Sequence, residues 1–324
     1  VYMTFRIFPF LTPEALSVIA VIGAITALMA AITAITRNDI KAVLAYSTIS
    51  QLGYMIMALG VGAPVYAFFH LVTHAMFKAC LFLCSGSVIH AMHHSLHHLD
   101  DHDTDPQDMN NMGGLKNKMP ITHAAMLIST LAIAGVPFFS GFLSKDGILA
   151  GVLSYYYNHG GWTVILPVAG FGAAMITAFY MFRLIFKTFY GEPKKKEIYD
   201  HVHESPIPMT APLILLSVLS LAFAFTANIN PLVRKGWFKD LIYKFSKYHN
   251  FLDMTYVNKG IKNAHYDAMY LSLFVASIGI GLSVLIYYLR KIDVEKVAKF
   301  FNLVGLYKLS RNKFYIDKIY NTIL

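Results

Sequence analysis

Long apolar stretches separated by short polar links recur along the chain. Several approach or exceed the ~18 to 20 residues that cross a bilayer as helix. Pro13 and Glu14 open the first complete stretch, about residues 13 to 35, because a first-turn proline followed by an acid is an ordinary helix start. The link Thr36-Arg37-Asn38-Asp39 turns the chain into a second span, about 40 to 60. Gly60, Gly62 and Pro64 mark a tight return into a third, about 64 to 91. Residues 1 to 12 read as the end of an earlier helix.

From residue 93 to 119 the pattern becomes polar, rich in His, Asp and Asn, and predicts a solvent loop. The fourth span starts near Pro120 and is interrupted by Gly135, Pro137, Ser140 and Gly141 before apolar sequence resumes from about 142 to 157. This predicts a broken helix, which lipid tolerates only where protein or water satisfies the freed backbone groups. Further spans at about 162 to 190, 206 to 229 and 267 to 290 bring the total to about seven. Residues 191–290 thus add helices beyond a bundle at 13–190, with a basic, amphipathic, interfacial stretch at 234–262. A basic tail occupies 291–324. The predicted fold is an all-α polytopic transmembrane helix bundle with one broken helix.

Composition agrees with lipid as solvent. Of the 324 residues, 56% are hydrophobic and 14% charged, with mean hydropathy +0.52, against roughly 25% charged in ordinary soluble domains. One soluble core is excluded. The net charge of +9 gathers in loops and at segment ends, where anionic headgroups and the positive-inside bias account for it without nucleic acid. Arg37, Lys41, Lys116, Lys118, Lys187 and the run 194–196 fall on one predicted side, which marks that side as cytoplasmic. Cys80 and Cys84, four apart in an apolar run, share a helix face and cannot ligate a cluster alone. They read as packing residues.

The candidate chemistry is a set of titratable groups inside apolar runs. His70, His74 and Lys78 in HLVTHAMFKACLFL lie at four-residue spacing on one helical face, about 6 Å apart per step. A charge near the bilayer centre costs at least ~2.5 to 3.5 kcal/mol, so such residues have a pairing or functional reason to be there. An amine in a low-dielectric site gives up its proton more readily than one in water. Imidazole accepts at one nitrogen while donating from the other. A three-rung proton relay follows. Zinc on His70 and His74 is the rival chemistry, an intramembrane metalloenzyme, but the His-Glu-x-x-His pattern and its carboxylate are missing. His93, His94, His97, His98 and His102 read as a surface tract. Lys145, just past the break in FFSGFLSKDGIL, is the second candidate proton site, with Asp146 as its charge partner. Lys41 and Asp39, further candidate proton-transfer residues, open the second span, where position alone leaves Lys41 open between an interfacial anchor and a relay member.

TRNDIKAVLAYSTISQLGYM, HLVTHAMFKACLFLCSGSVIHA, QDMNNMGGLKNKMP and FFSGFLSKDGIL, in this order, resemble the proton-conducting family shared by complex I, Mrp-type cation/proton antiporters and membrane hydrogenases. Within it they are most similar to the subunit L family of bacterial NADH-quinone oxidoreductase. The resemblance implies paired, inverted five-helix repeats, of which 13–190 would be the second. It implies Lys78 as the central proton carrier, His70 and His74 as links, Lys145 as the exit-side lysine and a role for Lys41. It also implies NADH, FMN, iron-sulfur clusters and quinone in partner subunits and no cofactor in this chain, a neighbouring antiporter-like subunit as partner, and a bacterial inner membrane. Gly147 departs from the pattern, since many relatives carry glutamate there. An Mrp-type sodium/proton antiporter subunit is the alternative within the family.

Overall fold

The computed structural model describes residues 1–226, 237, 240–242, 244, 254–303 and 305–323. Among these the regular structure is helical, with two isolated antiparallel bridge pairs, Asp39 with Asp108 and Phe139 with Leu221. After α1 (Tyr2–Ile7) come α2 (Pro13–Ile35), α3 (Ile40–Gly60), α4 (Pro64–His98), α5 (Pro120–Ala134), α6 (Ser140–His159) and α7 (Ile165–Phe189). Then follow α8 (Lys196–His201), α9 (Ile207–Leu219), α10 (Phe223–Thr226), α11 (Met254–Asn263) and α12 (His265–Ser283), which continues through a π-turn at Val284–Tyr288.

Five of these segments are long and apolar enough to cross a membrane, namely Pro13–Ile35, Ile40–Gly60, Pro64–His98, Gly161–Phe189 and His265–Tyr288. The broken pair α5 and α6 and the interrupted pair α9 and α10 bring the predicted seven. The chain is an integral membrane protein. Of the predicted interfacial stretch 234–262, residues 234–236, 238–239, 243 and 245–253 lie outside the described residues, as do 227–229 of the sixth span.

Local chemistry sets the helix starts. Thr12 caps α2 by accepting from the Ala15 amide at 3.3 Å, and Asp39 Oδ1 caps α3 by accepting from Lys41 and Ala42 amides at 2.7 and 3.0 Å. The N-terminus of α5 is capped from a distance: Glu204 accepts from the Ile121 amide at 2.7 Å and the Thr122 hydroxyl at 2.6 Å, placing a carboxylate where the helix dipole favours it. Along α2 and α3, small residues let the backbones nearly touch. A Cβ on Gly53 would come within 2.5 Å of the Ala27 amide nitrogen. In lipid, where apolar burial drives little association, this close packing is the main attraction between helices.

The third span extends further than the sequence predicts. α4 runs 35 residues, roughly 52 Å at 1.5 Å per residue, so its last turns project beyond the ~30 Å hydrocarbon layer. His93, His94, His97 and His98 therefore sit on helix. Their turns persist because Val88, Ala91, Met92, Ser95 and Leu96 continue a buried stripe, with Ser95 Oγ donating to the Ile198 carbonyl at 2.5 Å. The true loop, 99–119, is clipped down. Lys195 sits 2.8 Å from Asp101 Oδ2 and, with Thr104, holds that carboxyl well below the usual carboxylate range. The QDMNN segment pairs with the link before α3 through Ile40 N–H to Gln107 O and Met109 N–H to Asn38 O, both 3.0 Å. Gly113 lies so close to residue 192 that a Cβ would meet the Glu192 carbonyl at 2.6 Å. This stretch is a structural clip.

Candidate functional site

α4 lays His70, His74 and Lys78 on successive turns facing the bundle interior, 1%, 6% and 5% exposed. The two imidazole centroids are 6.0 Å apart. His70 Nε2 lies 3.0 Å from Gln51 Oε1 on α3, and its Nδ1 lies 2.8 Å from Ser144 Oγ on α6. With the amide oxygen as acceptor, Nε2 carries the ring proton and Nδ1 accepts from the Ser144 hydroxyl. Thr73 Oγ1, one turn along α4, sits 2.9 Å from the same Ser144 oxygen. A hydrogen-bonded chain thus crosses three helices.

Further along the ladder the protein leaves polar atoms open. His74 Nε2, Lys78 Nζ, Gln51 Nε2 and Ser47 Oγ are buried with no hydrogen-bond partner among the described residues. Lys78 Nζ rests over the Phe82 ring at 5.8 Å, and His74 packs edge-on against Phe77 at 5.4 Å. Buried polar atoms are ordinarily satisfied by protein or ordered water. A polar interior of this density is where water binds and bridges.

Lys145 sits at the helix break. Gly135, at φ 78°, ends α5 in the left-handed conformation that suits glycine. Six residues into α6, the Lys145 side chain reaches back and donates to the Ile133 carbonyl at 3.2 Å, with its ammonium over the Tyr54 ring at 5.3 Å. Ile133 belongs to the last turn of α5, where helical carbonyls lack intrahelical donors and the dipole favours a cation. Lys145 is 3% exposed, so the predicted break supplies the solvation that lipid denies. It does not snorkel to a surface.

Asp146 has a different partner from the one predicted. Its Oδ2 lies 3.0 Å from His265 Nδ1 at the start of α12, whereas Lys145 is held by a carbonyl. Helix geometry explains the split, because consecutive residues project about 100° apart. Asp39 is the cap of α3, and Lys41 is exposed on the first turn of that helix. Among the described residues, neither is hydrogen-bonded to the ladder. Gly147 is hemmed in: a Cβ there would lie 2.0 Å from the Tyr66 ring, so the site has no room for a longer side chain unless Tyr66 moves. Both ring nitrogens of His70 are engaged by protein, and no group of three His, Cys, Asp or Glu fit to hold a metal occurs among the described residues. Cys80 and Cys84 are free and buried.

Sequence reasoning missed several members. Ser144 and Thr73 carry no signal beyond being hydroxyls near candidate residues. His265 had a readable one, since it opens an apolar span. Arg183 is 4% exposed inside α7 and pins the α2–α3 link, donating to the Arg37 carbonyl at 2.7 Å and Asn38 Oδ1 at 2.6 Å.

The family described as NADH:quinone oxidoreductase/Mrp antiporter, transmembrane, matches residues 1–177. NAD(P)H-quinone oxidoreductase chain 5 of Picosynechococcus sp. is 40% identical over 100% of this chain and 49% of its own length. NADH-quinone oxidoreductase subunit L of Neisseria meningitidis is 38% identical over 98% of this chain and 48% of its own. The chain spans about half the length of these relatives. Among solved structures, a chain of the membrane-bound sulfane sulfur reductase, an archaeal respiratory membrane complex, aligns with TM-score 0.55 at 29% identity over 67% of this chain and 33% of its own. A chain of the Mrp complex from Dietzia sp. aligns with TM-score 0.62 at 23% identity over 99% of this chain and 33% of its own, a likeness of fold. On the family match and these relatives together, the chain belongs to the NADH:quinone oxidoreductase/Mrp antiporter transmembrane family.

Proposed function

We propose that the chain conducts protons as part of an antiporter-like subunit of an NADH-quinone oxidoreductase, with residues 13–190 as its second five-helix repeat. One observation carries the reading: a buried His70–His74–Lys78 ladder joined through Ser144 to α6, the helix that holds Lys145 at the break. Lys78 is the central carrier, His70 and His74 link it to the Ser144 hydroxyl, and Lys145 exchanges protons at the α5 terminus. Electron transfer, with NADH, FMN, iron-sulfur clusters and quinone, belongs to partner subunits in a bacterial inner membrane. A neighbouring antiporter-like subunit adjoins this one. The relatives at 38 and 40% identity carry quinone oxidoreductase names, which favours this assembly over a sodium/proton antiporter.

Moving one charge against 100 mV takes about 2.3 kcal/mol, comparable to changing a lysine's proton affinity by roughly two pKa units. Coupling of that size is within reach of one buried amine whose surroundings rearrange. The test is Lys78→Ala in the assembled complex, reconstituted in vesicles. Proton uptake driven by NADH is expected to collapse while assembly persists. Full uptake would remove Lys78 from its role.

A further inference from the structure

The pair formed by Asp146 and His265 lies outside everything assigned so far. Asp146 follows Lys145 on α6, and His265 opens α12, beyond residues 13–190. The two are 5% and 9% exposed and 3.0 Å apart. Within the same turn of α12 the surroundings change sharply: Tyr266 is 63% exposed, and the exposed Asp267 accepts from the Tyr157 hydroxyl at 3.1 Å near the end of α6. His265 therefore sits at the edge of the described bundle, with the Asp146 carboxylate on its inner side.

We propose that His265 is the residue through which protons pass between the Lys145 end of the buried path and the membrane face bearing residues 159–161. The proposal rests on the proton-conduction reading above. Each step is a proton transfer. The 3.0 Å contact is close but not aligned as a hydrogen bond, so the ring first turns to aim Nδ1 at the carboxyl; a proton held on Asp146 Oδ2 then moves to His265 Nδ1, which leaves a carboxylate and an imidazolium. The imidazolium loses its Nε2 proton to water and returns as the neutral Nδ1–H tautomer. Rotation of the ring or tautomer exchange resets it, and one proton has moved with no oxidant or reductant. Imidazole suits this step because its two nitrogens can face different environments, one accepting a proton while the other donates. Among the described residues, the other charged groups on the adjoining elements include Lys145 and His159 on α6, Asp267 on α12 and the exposed Lys259 and Lys262 on α11. Arg183 and Lys187 on α7 lie toward its C-terminal end, where Tyr190 meets Tyr288.

The rival explanation is a buried ion pair that merely fastens α12 to α6. Chemical rescue separates the two. In the assembled complex reconstituted in vesicles, His265→Ala is expected to slow proton uptake about 10-fold or more, since a positioned acid–base group contributes roughly 10² to 10⁴ to its own step. Added imidazole is expected to restore much of the rate, which a structural link would not allow. Slowing that imidazole does not relieve overturns the proposal, as does uptake at the wild-type rate. Should His265→Ala fail to assemble, Asp146→Asn keeps the shape of the pair and removes its proton acceptor; wild-type uptake there is equally fatal. Lys78→Ala is measured alongside. If it too pumps normally the conduction reading falls, whereas if it alone is blocked, only the assignment of His265 falls.

Discussion

Replacing Ser144 with alanine takes one oxygen from the middle of the buried chain. That oxygen lies 2.8 Å from His70 Nδ1 and 2.9 Å from Thr73 Oγ1, at a position with no solvent exposure. Both partners then lose a hydrogen bond in a low-dielectric site, and leaving a buried polar group unmet costs about 1 to 3 kcal/mol. At roughly 1.4 kcal/mol per factor of ten, a penalty falling on the conducting geometry slows transfer about 5- to 150-fold. An internal water that takes over the hydroxyl's place brings the effect to the lower end. The assay is dye-reported proton uptake by vesicles containing the assembled complex, normalised to its amount. Ser144→Cys, which keeps a weak donor, is expected to fall between alanine and wild type. If assembled Ser144→Ala takes up protons at the wild-type rate, the link between α4 and α6 is not on the proton path.

Two further substitutions probe the scaffold. Gly53→Ala places a methyl against the Ala27 backbone, which cannot retreat as a side chain could; about 1 to 3 kcal/mol of stability should be lost, read as a lower unfolding temperature in detergent, and an unchanged temperature would contradict the close α2–α3 packing. Asp39→Ala removes the α3 cap at a cost of roughly 1 kcal/mol, so thermal stability should drop while uptake per assembled complex holds. Loss of uptake in stable, assembled Asp39→Ala would return this residue to the proton path.

Much of the site was legible because lipid makes polar side chains conspicuous. His70, His74 and Lys78 stand out at four-residue spacing in an apolar run, and Gly135 and Pro137 announce the break that receives Lys145. What stayed hidden is what distance along the chain conceals. His265, which meets Asp146, lies 119 positions away, and nothing in SKDGIL says which neighbours the aspartate meets. Asp39 is ambiguous for a related reason: an acid beside a lysine at a span boundary has the same local pattern whether it carries protons or caps a helix, and the structure adds the bonds to the Lys41 and Ala42 amides. Composition alone places His93, His94, His97 and His98 in a loop. The stripe of Ala91, Met92, Ser95 and Leu96 that keeps them helical was present but outweighed by the polar residues between.

The break in the fourth span shows how the fold meets a cost that sequence alone only flags. Between α5 and α6 the backbone at residues 138–140 loses its helical partners, and in hydrocarbon each unmet group costs several kcal/mol. The sixth span is interrupted at the same depth, at residues 220–222, and the two interruptions satisfy each other: Ser140 N–H donates to the Ser220 carbonyl and Ala222 N–H to the Phe138 carbonyl, both at 2.9 Å. This mutual repair ties up backbone groups of the opening itself and leaves the Ile133 carbonyl, one turn earlier, free to accept from Lys145. The second break, on a helix outside residues 13–190, thus closes the first against lipid while keeping its cation-binding end open. A lysine can rest there only because another span absorbs the rest of the damage, so the site depends on helices beyond the repeat that contains its titratable residues.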